Sequence, residues 1–379
     1  MPSRPCAGLP RLEADPLATV LHYVEHWLDL SAGFVHAHVS RSRHRAVVVS
    51  HNKTANRAAF PHRPVHRLDR LHTLVPEHRW PQTRTTALRS LAAVHRARLV
   101  HVHFGYVVGD VLGLTGRSGL PLVLSLHGDD ATSLPTRQPG HYDDAVAAAA
   151  AVVVPSRFLA GVATGLGFAP DRVHVIPAGV DTGFFTPSPV PRTPRVTFVG
   201  RLVEKKGLDV LLSAWPAVVA EVPEARLDII GAGPLAAAIP AGERSVRHVA
   251  PEAHRRGEQV RDAVRSARVV VSPSRVSATG DAESLLLVNL EAQASGRPVV
   301  TTRHGGIPEF VDDGVSAILV PENDPRALAQ ALVAVLSDDG LADRLGAAGP
   351  AVARRFDVTA CAARVDDLYD EVLRARARN

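Results

Sequence analysis

The chain is poor in cysteine: of its 379 residues only Cys6 and Cys361, near opposite ends, carry a thiol. Two thiols so placed suggest neither a disulfide framework nor a cysteine-built metal centre, and they favour a reducing, cytoplasmic setting. Long hydrophobic runs are missing too. The longest, Ala145 to Val154, is too short to span a bilayer, and the opening "MPSRPCAGLPRLEADPL" has charge and proline where a secretion signal needs an apolar core. The chain is expected not to cross a membrane by itself. No helix-turn-helix, zinc-finger or RNA-binding signature occurs, so no specific nucleic-acid partner is expected.

What is present is enough apolar material, 46% of residues, for a large core, and a length that favours two domains with a cleft between them. The net charge of +5 is unevenly placed: residues 41–98 hold twelve arginines and one lysine against Asp69 and Glu77. This basic stretch reads as a solvated face, as a contact for an anionic acceptor or an acidic membrane surface, or as a nonspecific attraction for nucleic acid.

Strand-like apolar runs alternate with helix-like segments: 19–24, 45–50, 98–104, 120–128, 150–156 and 173–179. Alternation of this kind predicts a parallel sheet covered on both faces. The proline-rich "TPSPVPRTP" (186–194) interrupts the pattern and reads as a linker. Beyond it come 195–200, 226–231, 268–274, 297–302 and 316–321, again interleaved with helical stretches such as the one that Asp324 and Pro325 open. The fold class is therefore α/β, two doubly wound Rossmann-like domains in tandem. The expected boundaries are 1–186, a linker at 187–194, a second domain over 195–355, and a final helix in 356–379 that packs back on the first domain. In such sheets ligands bind beyond the carboxyl ends of the strands.

Those strand ends hold the unusual residues. In "VGRLVEKKG" (199–207) Arg201 and Lys206 stand between a strand and a helix, where a guanidinium fork, an ammonium and helix N-terminal amides suit a diphosphate. A solvated basic turn explains the spacing equally well. "IIGAGP" (229–234) supplies Gly231 and Gly233, but Ala236 stands at the third glycine of a dinucleotide fingerprint and no acidic residue ends the next strand, which disfavours nicotinamide binding. In "ESLLLVNLEAQASG" (283–296) Glu283 and Glu291 bracket seven residues, five of them apolar. Glu283 is expected at or just before the start of the helix that carries Glu291, beside the amides of Ser284, Leu285 and Leu286, with Glu291 about two turns on and about 80° round. One ligand of nucleotide-sugar length could touch both. "TTRHGGIPEFVDDG" (301–314) adds a tight loop at the same sheet edge, with Pro308 and Glu309 opening a further helix. His101 and His103 share a strand face and raise the question of a metal, for which the nearby Asp129 and Asp130 complete no clear ligand set.

Taken in order, "VGRLVEKKG", "IIGAGP", the pair Glu283 and Glu291, "ASGRPVV", "HGGIPEFVDDG" and "ILVPENDPRALAQAL" resemble the C-terminal donor domain of retaining glycosyltransferases of family four, which have the GT-B fold. "VHVHFG", "LVLSLHGDD", "VVVPSRFLAGVATGLG" and "VHVIPAGVDTGFFTP" resemble the N-terminal half more loosely. The resemblance implies that Arg201 and Lys206 bind the donor diphosphate and steady the leaving group, that Glu283 contacts the donor sugar, and that Glu291 holds the ribose hydroxyls. It also implies that His127 lies at the catalytic centre, positioning donor and acceptor. The implied donor is a UDP-, GDP- or ADP-sugar, with no metal and no further cofactor. The implied acceptor is a glycan or a lipid-linked molecule; separately, the basic first domain suggests a peripheral contact with an anionic membrane surface.

Two departures stand out. Ser284 replaces the glycine that usually follows the first glutamate, and Leu285 and Leu286 replace the usual pair behind it. The first strand runs into "EHWLDLSAGF" instead of a glycine-rich loop, a feature similar to the subgroup that acts in exopolysaccharide and colanic-acid-type assembly. A non-catalytic nucleotide-sugar or glycan-binding protein, and an epimerase or hydrolase on the same scaffold, are the competing readings.

Overall fold

A computed structural model describes residues 17–28, 32–52, 54, 56, 58–115, 119–240, 242–250 and 256–378. Cys6 and the opening segment, and residues 29–31 of the loop after the first strand, lie outside it.

Seven strands form the first sheet: β1 (Thr19–Val24), β2 (Arg45–Ser50), β3 (Val65–Arg67), β4 (Ala97–His103), β5 (Leu122–Ser125), β6 (Ala149–Val154) and β7 (Val173–Val175). Their order is β3-β2-β1-β4-β5-β6-β7, and every pairing is parallel. The second sheet holds β8 (Arg195–Val199), β9 (Arg226–Ile230), β10 (Val246–Val249), β11 (Val269–Ser272), β12 (Val299–Thr302) and β13 (Ala317–Val320), in the order β10-β9-β8-β11-β12-β13 and again all parallel. The two sheets are the tandem doubly wound halves that the alternating pattern predicts. The edge strands β3 and β10 are absent from the sequence reading. Each is three or four residues long and only partly buried, so neither carries the apolar run that marks a central strand.

Both faces of the first sheet are covered, as parallel strands require. Leu21, Tyr23, Val47 and Val49 point to one side and pack with Leu88, Val108 and Leu159. Val20, Leu99, Val123 and Val153 point to the other, where Val365, Leu368, Tyr369 and Val372 meet them. Those four belong to the last helix, Val358–Arg378. It therefore completes the core of the first sheet although it follows the second in sequence. The proline-rich stretch after β7 does not hang free. Val190 is buried in the core of the second sheet, and the Arg297 guanidinium donates to the Ser188 carbonyl at 2.8 Å. Among the described residues no helix is long and apolar enough to cross a membrane.

The basic stretch is less of a patch than its composition suggests. Arg41 pairs with Asp181, Arg43 with Asp367 and Asp370, Arg67 with Asp69, and Arg84 with Asp110. Four of its cations thus face carboxylates, and three of the four, Arg41, Arg43 and Arg84, find them in other parts of the chain.

Candidate active site in the interdomain cleft

The carboxyl ends of the two sheets face each other across a cleft of about 660 Å³. Arg201, Lys206, Glu283, Ser284, Leu285, Leu286 and Glu291 line it from the second domain, and His127 lines it from the first. Gly231 and Gly233 do not line it. A Cβ on Gly231 would stand 1.9 Å from the Gly200 carbonyl oxygen, and one on Gly233 would stand 2.5 Å from that of Leu202. These two glycines let the loop carrying Arg201 lie against the end of β9, so their place is under that loop.

Arg201 follows β8 and is exposed. Lys205 and Lys206 end a short 3-10 turn (Glu204–Lys206), after which Gly207, with φ of 67°, turns the chain into helix α1 (Leu208–Glu221). The close approach to the Pro273 carbonyl, 1.9 Å from a Cβ at this position, leaves room only for glycine. Lys206 Nζ sits 2.8 Å from Glu283 Oε1, and Lys205 Nζ sits 2.9 Å from Asp281 and 3.7 Å from Glu283. Burial works to raise the Glu283 carboxyl pKa, but the charges of Lys206 and Lys205 outweigh it and hold the group below its ordinary value, and so ionised. Burial pulls the Lys206 ammonium down, against the attraction of Glu283. Lys205 escaped the sequence reading although it stands beside Lys206. Adjacency does not show which of two lysines turns inward; here Lys205 is the more buried, its side chain 7% exposed against 17% for Lys206.

Glu283 lies before the helix that carries Glu291, on the loop that leads into it. That helix, α2 (Leu287–Ala294), begins four residues later with Leu286 as its N-cap, so the amides of Ser284 and Leu285 belong to the preceding loop and the angular relation of a continuous helix does not hold. The loop is fixed instead by the turn after β12. The Glu283 N–H donates to His304 Nε2 at 3.0 Å, the Gly306 N–H donates to the Glu283 carbonyl at 3.0 Å, and His304 Nδ1 is 2.8 Å from Glu322 Oε1. Gly305 and Gly306 permit this closeness, since a Cβ on either would come within 2.2 Å of the Glu283 or Ser284 carbonyl oxygen. Pro308 and Glu309 form one 3-10 turn (Ile307–Glu309) and not the opening of a helix. The Glu309 carboxylate reaches into the other domain, where its oxygens accept the backbone N–H groups of Arg157 and Phe158 at 2.8 and 2.9 Å, at the start of the helix Arg157–Gly165. The Ser284 hydroxyl also crosses, donating to the His127 carbonyl at 2.6 Å.

His127 stands between Phe34 and Phe104, with ring centroids at 4.7 and 4.5 Å. Burial lowers its pKa to about 3, so the imidazole is neutral, and its Nε2 is a buried atom without a hydrogen-bond partner. Asp130 orders the turn, accepting the N–H groups of His127, Gly128 and Gly105 at 2.8 to 2.9 Å. An unsatisfied, uncharged ring nitrogen in one cleft with an ionised carboxylate and three cations suits a polar ligand rich in hydroxyls and phosphate.

Behind His127, the ring nitrogens of His22, His101 and His103 come within 4.8 Å of one another. His101 has both nitrogens engaged, Nδ1 with the Tyr369 hydroxyl and Nε2 with Ser125 at 2.7 Å. Zinc held at 2.0–2.1 Å by each ring would draw such nitrogens to about 3.4 Å apart. Within the group His22 Nδ1 lies 3.0 Å from His103 Nε2, and His101 ties the last helix to the first sheet.

Comparison with known proteins agrees with this geometry. Residues 33–184 match the model of Glycosyltransferase Family 4, and residues 193–338 match that of Glycosyl transferases group 1. The D-inositol 3-phosphate glycosyltransferase of Xylanimonas cellulosilytica is 34% identical over 327 residues, 75% of either chain. WcaL of Escherichia coli, named for colanic acid biosynthesis, is 37% identical over 46% of this chain and 45% of its own length. HepE of Anabaena, crystallised with UDP, superposes with a TM-score of 0.73 at 18% identity, covering 93% of this chain and all of that one. On these matches the chain belongs to glycosyltransferase family 4, and its two facing sheets are the GT-B fold of that family.

Proposed function

We propose that the protein transfers a hexose, with retention at the anomeric carbon, from a nucleotide diphosphate sugar to a glycan or lipid-linked acceptor in cell-surface polysaccharide or glycoconjugate synthesis. The observation that carries this reading is the convergence of Arg201, Lys206, Glu283, Glu291 and the unpartnered His127 Nε2 on one interdomain cleft. Departure of a nucleoside diphosphate builds negative charge on its phosphates. Arg201 and Lys206 are placed to meet that charge as it forms, and a contact that strengthens in the transition state lowers the barrier. In this reading Glu283, oriented by His304 and Lys206, receives the donor sugar hydroxyls, and Glu291 holds the ribose. The two cations take the role of a metal, so turnover should persist in EDTA. The UDP in HepE and the colanic acid name of WcaL support a nucleotide donor and a polysaccharide role.

The test is a calorimetric and thermal-shift panel of UDP, GDP, ADP and their sugar conjugates against wild type and Glu291→Ala. Saturable binding of one nucleotide, weakened in the variant, is the expected result. Binding of none would favour a degenerate, non-catalytic scaffold. A peripheral, inner-face membrane contact through the basic first domain belongs to the same proposal; Leu71 and Leu74, 38% and 77% exposed, lie within the basic stretch. Sedimentation with anionic liposomes at low and high salt checks it, and absence of binding at low salt removes it.

A further inference from the structure

The two walls of the cleft are chemically unlike. Its cations, Arg201, Lys205 and Lys206, all stand on the second domain, where the proposed donor diphosphate would engage them. On the first-domain wall no arginine or lysine occurs among the described lining residues; the charged groups there are the carboxylates of Glu25, Asp129 and Asp130. Arg137 is paired with Asp129 at 2.8 Å, and Asp129 is further held by the Tyr106 and Ser133 hydroxyls. Alongside these carboxylates lie three partly exposed aromatic rings, Phe34, Phe104 and Tyr106, the first two in contact with His127. The side chain of Glu25, just after β1, is 41% exposed, with His26 at 3.4 Å beside it.

From this wall we infer that the acceptor presents an uncharged, hydroxyl-bearing sugar or polyol ring to the reacting centre, and that a phosphomonoester acceptor is rejected. The inference rests on the transfer reaction proposed above and adds the acceptor class. A sugar ring offers an apolar C–H face and a rim of hydroxyls. Phe34 and Phe104 receive the face, and Glu25 accepts hydrogen bonds from the rim. A phosphate in the same place would meet the side chains of Glu25 and Asp129, with no arginine or lysine among the described lining residues of that wall, since the cations across the cleft serve the donor. Like charges so placed discriminate by repulsion. In the reaction the acceptor hydroxyl oxygen bonds to the anomeric carbon while the bond from that carbon to the diphosphate oxygen breaks. The bonding pair leaves with the nucleoside diphosphate, which also takes the hydroxyl proton. The chain thereby differs from the relative that is named for D-inositol 3-phosphate.

Calorimetric titration of the protein saturated with its nucleotide diphosphate, using matched pairs, tests this. The pairs are methyl α-glucoside against glucose 6-phosphate and myo-inositol against D-inositol 3-phosphate. The neutral member of each pair should bind at least about ten-fold tighter, and Glu25→Lys should shrink or invert that ratio, with the nucleotide affinity of the variant reporting an intact fold. Tighter binding of either phosphorylated member, or no binding of any neutral one, overturns the inference while leaving the donor assignment standing. Failure of every nucleotide diphosphate to bind defeats the donor assignment itself, and this inference with it.

Discussion

The ion pair between Lys206 and Glu283 couples two roles that are separate in the linear sequence. The lysine neutralises a buried carboxylate and stands where a diphosphate would need a cation. Lys206→Ala should weaken nucleoside diphosphate binding by about ten- to a hundred-fold, the worth of one charge-assisted contact, and should barely move the affinity for the bare nucleoside. Glu291→Ala should behave differently, weakening nucleoside and nucleoside diphosphate by a similar factor because the ribose is common to both. Calorimetry with uridine, UDP and their counterparts separates the two patterns. Equal losses for both ligands in Lys206→Ala would refute the phosphate assignment. At this scale the residue types were legible, since cations after β8 and paired carboxylates near α2 are visible as motifs. What was hidden is which lysine turns inward and that Glu283 sits on a loop, because both follow from contacts with Asp281 and His304, 76 and 21 positions away.

At the scale of elements, the turn Ile307–Glu309 joins the two domains. Its glutamate caps the helix Arg157–Gly165 with two hydrogen bonds from N–H groups at the positive end of the helix dipole. The same turn, through Gly306, holds the backbone of Glu283. Domain apposition and placement of that carboxylate are therefore mechanically linked. Glu309→Ala should cost about 1–3 kcal/mol of interdomain contact, seen as a larger radius of gyration in solution scattering and a lower kcat, while nucleotide affinity stays close to wild type. An unchanged scattering profile would show that the remaining contacts hold the domains alone. The sequence marked "HGGIPE" as a loop at the right sheet edge. Its partner lies about 150 positions upstream, where no local signal points to it.

For the whole molecule, five buried imidazoles, those of His22, His38, His101, His103 and His127, have pKa values lowered chiefly by burial, to about 4 for His38 and about 3 for His127. Three of them, His22, His38 and His101, surround Tyr369 at the junction of the last helix with β1, β4 and the helix Gly33–Arg41. The folded state keeps these rings neutral, whereas in the unfolded chain they take up protons near pH 6.5. Below that value the unfolded state binds more protons, so stability falls as pH drops. Each ring contributes up to about 1.4 kcal/mol of loss by pH 5.5 relative to pH 7.5. Urea unfolding at the two values should show a difference of several kcal/mol, reduced in His38→Gln; equal stability would mean that the cluster is not neutral in the fold. Composition had suggested a broad cationic face on residues 41–98, but ion pairs across the fold absorb part of that charge.

The alternation of apolar runs with helical segments was enough to determine the α/β class, the two sheets and eleven of the thirteen strands among the described residues, because a central parallel strand must be apolar on both faces. The motif order likewise carried the family and the candidate donor residues. Tertiary structure alone decided what joins distant segments: the last helix closing the first sheet, Glu309 capping a helix of the other domain, the pairing of Lys205 and Lys206, and the cation-poor acceptor wall. Local preference and periodicity act over a few residues, while these contacts join positions tens to hundreds of residues apart and exist only once both sheets have formed.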